Sequence, residues 1–253
     1  MDGASGVMAI ILLETAVGAS VLLWATGVWG VVRRGFFLLT GATIALCAAG
    51  AWAITAAEAG PGAGRIVGGL AVFTVLAVAW QALLIARQEG AARVVGLLAS
   101  VAGVIAIVLF AGVRDRAVGL AAVELLLGSL FLGSTAYGLL LGHWYLVERR
   151  LTNRYMVRSA YLYGAGVVAA GIAAALAAQS PAPEPGNLSP LLGIPNFTVL
   201  LAGGFLAICA LIAPFVWKLA NEGGRSIQAA TGYFYLAVIM AFSAEMAAKL
   251  RFF

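Results

Sequence analysis

Charge is what this chain has least of. Of 253 residues only 10% are Asp, Glu, Lys or Arg, against roughly 25% in a soluble domain. With 63% hydrophobic residues and a mean hydropathy of +1.04, the composition excludes a soluble enzyme and indicates a polytopic membrane protein. The excess of positive charge, 15 Lys and Arg against 10 Asp and Glu, is spread over short connections. That is how topology signals look, and nucleic acid is set aside as a partner. The two cysteines, Cys47 and Cys209, lie mid-span among apolar neighbours, so they suggest neither a disulfide framework nor a metal site; they read as small buried hydrophobes. There is one histidine, His143. Haem of the b type is held between paired histidines, so the sequence predicts no haem and no metal in this chain. A Gly-rich phosphate loop, a nucleophile triad and a metal-ligand cluster are also missing.

What is present is a series of long apolar runs. The stretch Ala117 to Arg158 is the most informative: an apolar run carrying Glu124 near one end and His143 near the other, closed by charged residues. A carboxylate inside such a run is expensive and needs a reason. Seven further runs are read as spans: Val7 to Val32, Phe36 to Ala57, Ile66 to Ala86, Val94 to Val113, Ser159 to Ala178, Phe197 to Ala220 and Ile227 to Leu250. The first is too long for a signal-peptide core and lacks a basic leader, so it is expected to be retained. All eight are too long for barrel strands, and helices satisfy their own backbone in lipid. The predicted fold is an all-α integral membrane protein of eight transmembrane helices.

Orientation follows from the basic residues. With the N-terminus outside, the inner connections hold Arg33, Arg34, Arg87, Arg93, Arg149, Arg150, Arg154, Arg158, Lys218 and Arg225, ten in all; the outer side holds Arg65, Arg114, Arg116, Lys249 and Arg251, five. The positive-inside bias then places both termini outside. Glu14, Glu124 and Glu245 fall at similar depth towards the outer face. Three ionisable groups at one level suggest a shared polar pocket where a proton or polar ligand head is handled; the other reading is that each snorkels to the interface or bonds a neighbouring helix.

The chain also reads as a duplication. Glu14-x-x-x-Gly18-x-Ser20 resembles Glu124-x-x-x-Gly128-Ser129, Arg34-x-x-Phe37-Leu38 resembles Arg158-x-x-Tyr161-Leu162, and Glu89-Gly90-x-x-Arg93 resembles Glu222-Gly223-Gly224-Arg225, in the same order. Halves with an even number of spans would be parallel repeats, residues 1–116 and 117–253, forming two four-helix bundles with a cleft between them. His143 sits with Trp144 and Tyr145 in an interfacial aromatic belt, where a hydrogen-bonded or solvated histidine is the commoner case and a ligand or proton carrier the other. Pro214 should kink the seventh helix and free the carbonyl of Ala210. Under the repeat alignment Gln81 falls opposite it, so both positions could line the cleft. The connection Ser180 to Asn196, with five of the seven prolines, is expected to lie over the outer face as a lid or docking surface; its sequon Asn187-Leu188-Ser189 reads as a chance match.

The last run, TGYFYLAVIMAFSAEMAAKLRFF, resembles the closing helix of the haem-free, quinone-interacting membrane anchors of polysulfide and dimethyl sulfoxide reductases, through Ala244-Glu245-Met246-Ala247-Ala248-Lys249. The family's usual glycine is Ala244 here and its usual arginine is Lys249. The resemblance implies eight core helices in two bundles, location in the bacterial cytoplasmic (inner) membrane, and an iron–sulfur or other redox subunit docked on the outer face. It also implies a quinone (menaquinone or ubiquinone) bound in the outer half of the bilayer. Glu124, Glu14 and Glu245 would then exchange its protons, with His143, Gln81 and Tyr137 as candidate quinone contacts. Two other classes stay open: a small proton- or cation-coupled transporter built around paired glutamates near Pro214, and a scaffold subunit without chemistry.

Overall fold

The computed structural model describes residues 3–60, 62–112, 117–148, 150–178 and 197–250. The connection from Ser180 to Asn196, with its sequon, and Arg114, Arg116, Arg149 and Arg251 lie outside the described residues. Among the described residues there are eight helices and no strand: α1 Ala4–Ala25, α2 Arg34–Ala57, α3 Gly64–Ile85, α4 Glu89–Ala111, α5 Val118–Val147, α6 Arg154–Ala178, α7 Phe197–Glu222 and α8 Ser226–Lys249. Every one is long and apolar enough to cross a membrane. Lipid contact is therefore written into the surface: Val72, Val75 and Val78 on α3 and Leu200, Leu211 and Phe215 on α7 are exposed, which water would penalise and hydrocarbon does not.

Helix ends follow the charged and Gly-rich connections, with one correction. The first span was expected to reach Val32, but α1 stops at Ala25. Gly27 and Gly30 take φ of 67° and 78°, a left-handed backbone that glycine adopts without penalty and that a helix cannot contain. Residues 26–33 are thus a turn. Helix α5 has 30 residues, about 45 Å at 1.5 Å per residue, so it outreaches a hydrocarbon layer of about 30 Å. Pro214 lies inside an α7 that is assigned as helix throughout.

Packing is the same in each half. In the first, α1 packs on α2, α2 on α3, α3 on α4, and α4 returns to α1; in the second, α5, α6, α7 and α8 close in the same order. The halves meet chiefly at α1 against α5, and small residues set that approach. A Cβ on Gly18 would stand 1.8 Å from the Ser129 carbonyl oxygen, and one on Gly133 2.3 Å from the Gly18 carbonyl carbon. The two backbones touch because neither glycine carries a side chain. The crossing makes α1 the most buried helix, while α7 is the least.

Candidate functional site

The alternating spans create two ends. One carries the start of α1 and the end of α8; the other carries the 26–33, α3–α4, α5–α6 and α7–α8 connections. They are called here the carboxylate end and the arginine end, after what each gathers.

At the carboxylate end Glu14 is wholly buried, and Glu124, Glu245 and Lys249 are each at most 5% exposed. Lys249 joins them. Its Nζ lies 3.0 Å from Glu14 Oε1 and donates to Glu245 Oε2 at 2.6 Å. The Glu245–Lys249 contact is an i, i+4 pair on α8, the spacing at which helical side chains meet. The Glu14 contact crosses from α1 to α8 and so ties the two halves together. Glu14 reaches there over Gly128 of α5, whose missing side chain leaves room: a Cβ would stand 2.5 Å from Glu14 Oε1.

Glu124 approaches from the other side. It lines a cavity of about 30 Å³ inside the second bundle with Glu245, Lys249, Phe131 and alanines of α6. The ammonium therefore sits between Glu14 and this cavity. A space of that size admits about one water and no ring-sized molecule. Two carboxylates sharing one ammonium in a low-dielectric interior make each charge depend on the others, because removing any one leaves the rest without their compensation. Such an arrangement can hold a proton or release it when one member changes partners.

The remaining sequence candidates stand elsewhere. His143 is exposed on α5 at the arginine end, its Nδ1 3.3 Å from the hydroxyl of Tyr235, about 28 Å of helix rise from Glu124. Tyr137 is fully buried and donates to Thr26 Oγ1 at 2.8 Å; Arg158 donates to the Thr26 carbonyl at 2.7 Å. Gln81 donates to the Leu38 carbonyl at 3.0 Å and turns its Oε1 towards Gly41. The structure brings the three glutamates into one neighbourhood, and leaves His143, Tyr137 and Gln81 outside it. Pro214 lines a groove of about 450 Å³ between α6 and α7 with Tyr161, Gly164 and Trp217.

No family model, curated protein or solved structure matches the chain.

Lys249 is the residue that sequence reasoning missed. In the sequence it stands among the outer topology charges, although its spacing from Glu245 is the ordinary signal of a helical ion pair.

Proposed function

We propose that the chain is a membrane subunit of a redox complex, in which the Glu14, Glu124, Glu245 and Lys249 cluster exchanges protons in the outer half of the bilayer. The observation that carries this reading is the buried ammonium of Lys249, shared between Glu14 and Glu245 beside a water-sized cavity that Glu124 also lines. Charges are retained inside a membrane at a cost of about 3 kcal/mol each, and intramembrane ionisable residues that pair with one another mark ion pathways and proton relays.

In the setting that the resemblance implies, the proton partner is a quinone. Oxidation of a quinol releases two electrons and two protons; the electrons pass to a redox subunit on the outer face and the protons to the carboxylates. A quinone ring does not fit the cavity, so it would meet the cluster from the lipid side, with a water carrying the proton inwards. Its tail would remain in lipid.

The size of the cavity favours a second reading, proton- or cation-coupled transport, in which the same cluster serves a flux without quinone. Purification from native membranes in mild detergent separates the two. A co-purifying iron–sulfur or other redox subunit with extractable quinone supports the first reading. A chain carrying neither, yet passing protons in proteoliposomes, replaces it with the second.

A further inference from the structure

The arginine end of the first bundle gathers hydrogen-bond donors that find no acceptor among the described residues. Trp29, in the 26–33 turn, stacks on Trp24 at 4.7 Å between ring centroids and on Phe37 at 4.2 Å. Trp80 of α3 lies against it at 6.4 Å. The indole Nε1 of Trp29, that of Trp80 and Nη1 of Arg34 are all buried without a hydrogen-bond partner among the described residues. Trp80 is only 2% exposed, so bulk water does not reach it. Buried N–H groups are nearly always satisfied in folded proteins; two unsatisfied indoles in rings 6.4 Å apart, with Arg34 at the start of the adjoining α2, point to an acceptor that the described residues do not supply.

The neighbourhood is also cationic. The Arg93 guanidinium stands 5.7 Å from the Trp29 ring centroid. Arg93 lies one turn before Gly96 on α4, and a Cβ at Gly96 would stand 3.1 Å from Trp80 Nε1 and 3.3 Å from Trp24, so both rings pack directly against that turn of α4. In the same way Arg34 lies one turn before Phe37 on α2, on the face that meets Trp29. Two arginines thus flank one aromatic cluster from two helices. The start of α2 has no acidic residue in its first turn and no side-chain cap, and the Glu148 carboxylate near it is paired with Arg33 at 3.1 Å, which leaves the dipole end to add to the field of Arg34. Val31 and Val94 beside it are exposed, as suits contact with acyl chains.

We propose that this cluster is a binding site for a phosphate-bearing anion, held by Arg34 and Arg93 and by the indole N–H groups of Trp29 and Trp80. Guanidinium and indole N–H are donors only, and arginine forks match phosphate oxygens in pairs. The phosphate can belong to an anionic phospholipid or to a soluble anion. The site lies at the end of the molecule opposite the carboxylate cluster and does not depend on what that cluster does.

Three of the six tryptophans form the site, so their emission reports its occupancy. The delipidated full chain in detergent is titrated with dioctanoyl phosphatidylglycerol, dioctanoyl phosphatidylcholine and inorganic phosphate. The expected result is a saturable change with phosphatidylglycerol, about tenfold weaker with the zwitterionic lipid, and about tenfold weaker again for phosphatidylglycerol in Arg34→Gln/Arg93→Gln, the loss of charge-assisted hydrogen bonds. Trp80→Phe keeps the ring and removes one donor, and weakens binding by about threefold to tenfold. Arg87→Gln, a charge change in the α3–α4 turn, leaves it unaltered. Thermal melting of each variant shows that it is folded. Saturation by inorganic phosphate with both lipids silent assigns the site to a soluble anion and upholds the proposal. Equal binding of the two lipids with no response to phosphate, or unchanged binding in the folded double variant, overturns it.

Discussion

Lys249 Nζ and Glu14 Oε1 stand 3.0 Å apart, and this contact joins the last helix of the second bundle to the first helix of the first. Bulk water reaches neither side chain, since Glu14 is 0% and Lys249 2% exposed. The ion pair is therefore a joint between bundles as well as part of the candidate site. Its energetics separate into two experiments.

Lys249→Met leaves Glu14 and Glu245 buried without their shared ammonium. Stability should fall by about 3–5 kcal/mol, the usual loss when one partner of a buried ion pair is removed. Replacing the whole cluster, Glu14→Gln/Glu124→Gln/Glu245→Gln/Lys249→Met, should recover much of that loss, because no uncompensated charge remains in it. Thermal melting in detergent reads both; a fourfold variant as unstable as Lys249→Met contradicts the assignment.

The α1–α5 crossing is set by backbone contact. Gly18→Ala would place a methyl 1.8 Å from a carbonyl oxygen that cannot step aside, so the helices must separate at a cost of about 3 kcal/mol or more. Gly68→Ala on α3 meets nothing within 4 Å and should be neutral or stabilise by about 0.5–1 kcal/mol through helix propensity. Yield of monodisperse protein and melting temperature distinguish the two.

Tyr137 and Thr26 are not symmetric partners. Tyr137→Phe removes the 2.8 Å bond to Thr26 Oγ1, but that hydroxyl keeps its own bond to the Leu22 carbonyl, so the loss should be about 1 kcal/mol. Thr26→Val strands the buried phenol hydroxyl and should cost about 1–3 kcal/mol. Melting temperatures in the opposite order would show that Tyr137 finds another acceptor.

The eight spans were legible because lipid imposes a length and an apolar composition on each and confines charge to the connections. The end of α1 was not: Val28, Val31 and Val32 continue the apolar run, and only the backbone of Gly27 and Gly30 shows that the helix has stopped. The depth of Glu14, Glu124 and Glu245 was also legible, since counting turns along straight helices needs no packing information. That Glu14 and Glu245 meet through Lys249 was not, because contact between α1 and α8 depends on which helices neighbour each other. The paired motifs at Glu14 and Glu124 carry a related lesson. Their residues converge on the α1–α5 crossing, yet Glu14 reaches across α5 while Glu124 faces the cavity of its own bundle, so similar sequence gives two different surroundings. The donor cluster of Trp29, Trp80 and Arg34 had no periodic signature and appeared only once two helices and a turn were assembled.

The measurement that tests the proton-exchange account most directly is quinol oxidation by the native complex carrying Glu124→Gln. Glutamine keeps the shape of the side chain and removes its capacity to take a proton. The account predicts that turnover falls by about a hundredfold or more, the contribution of a positioned acid–base group, while every subunit remains in its normal proportion. Turnover within about twofold of the unmodified complex, in an intact assembly, would contradict the assignment of Glu124 as a proton-exchanging residue.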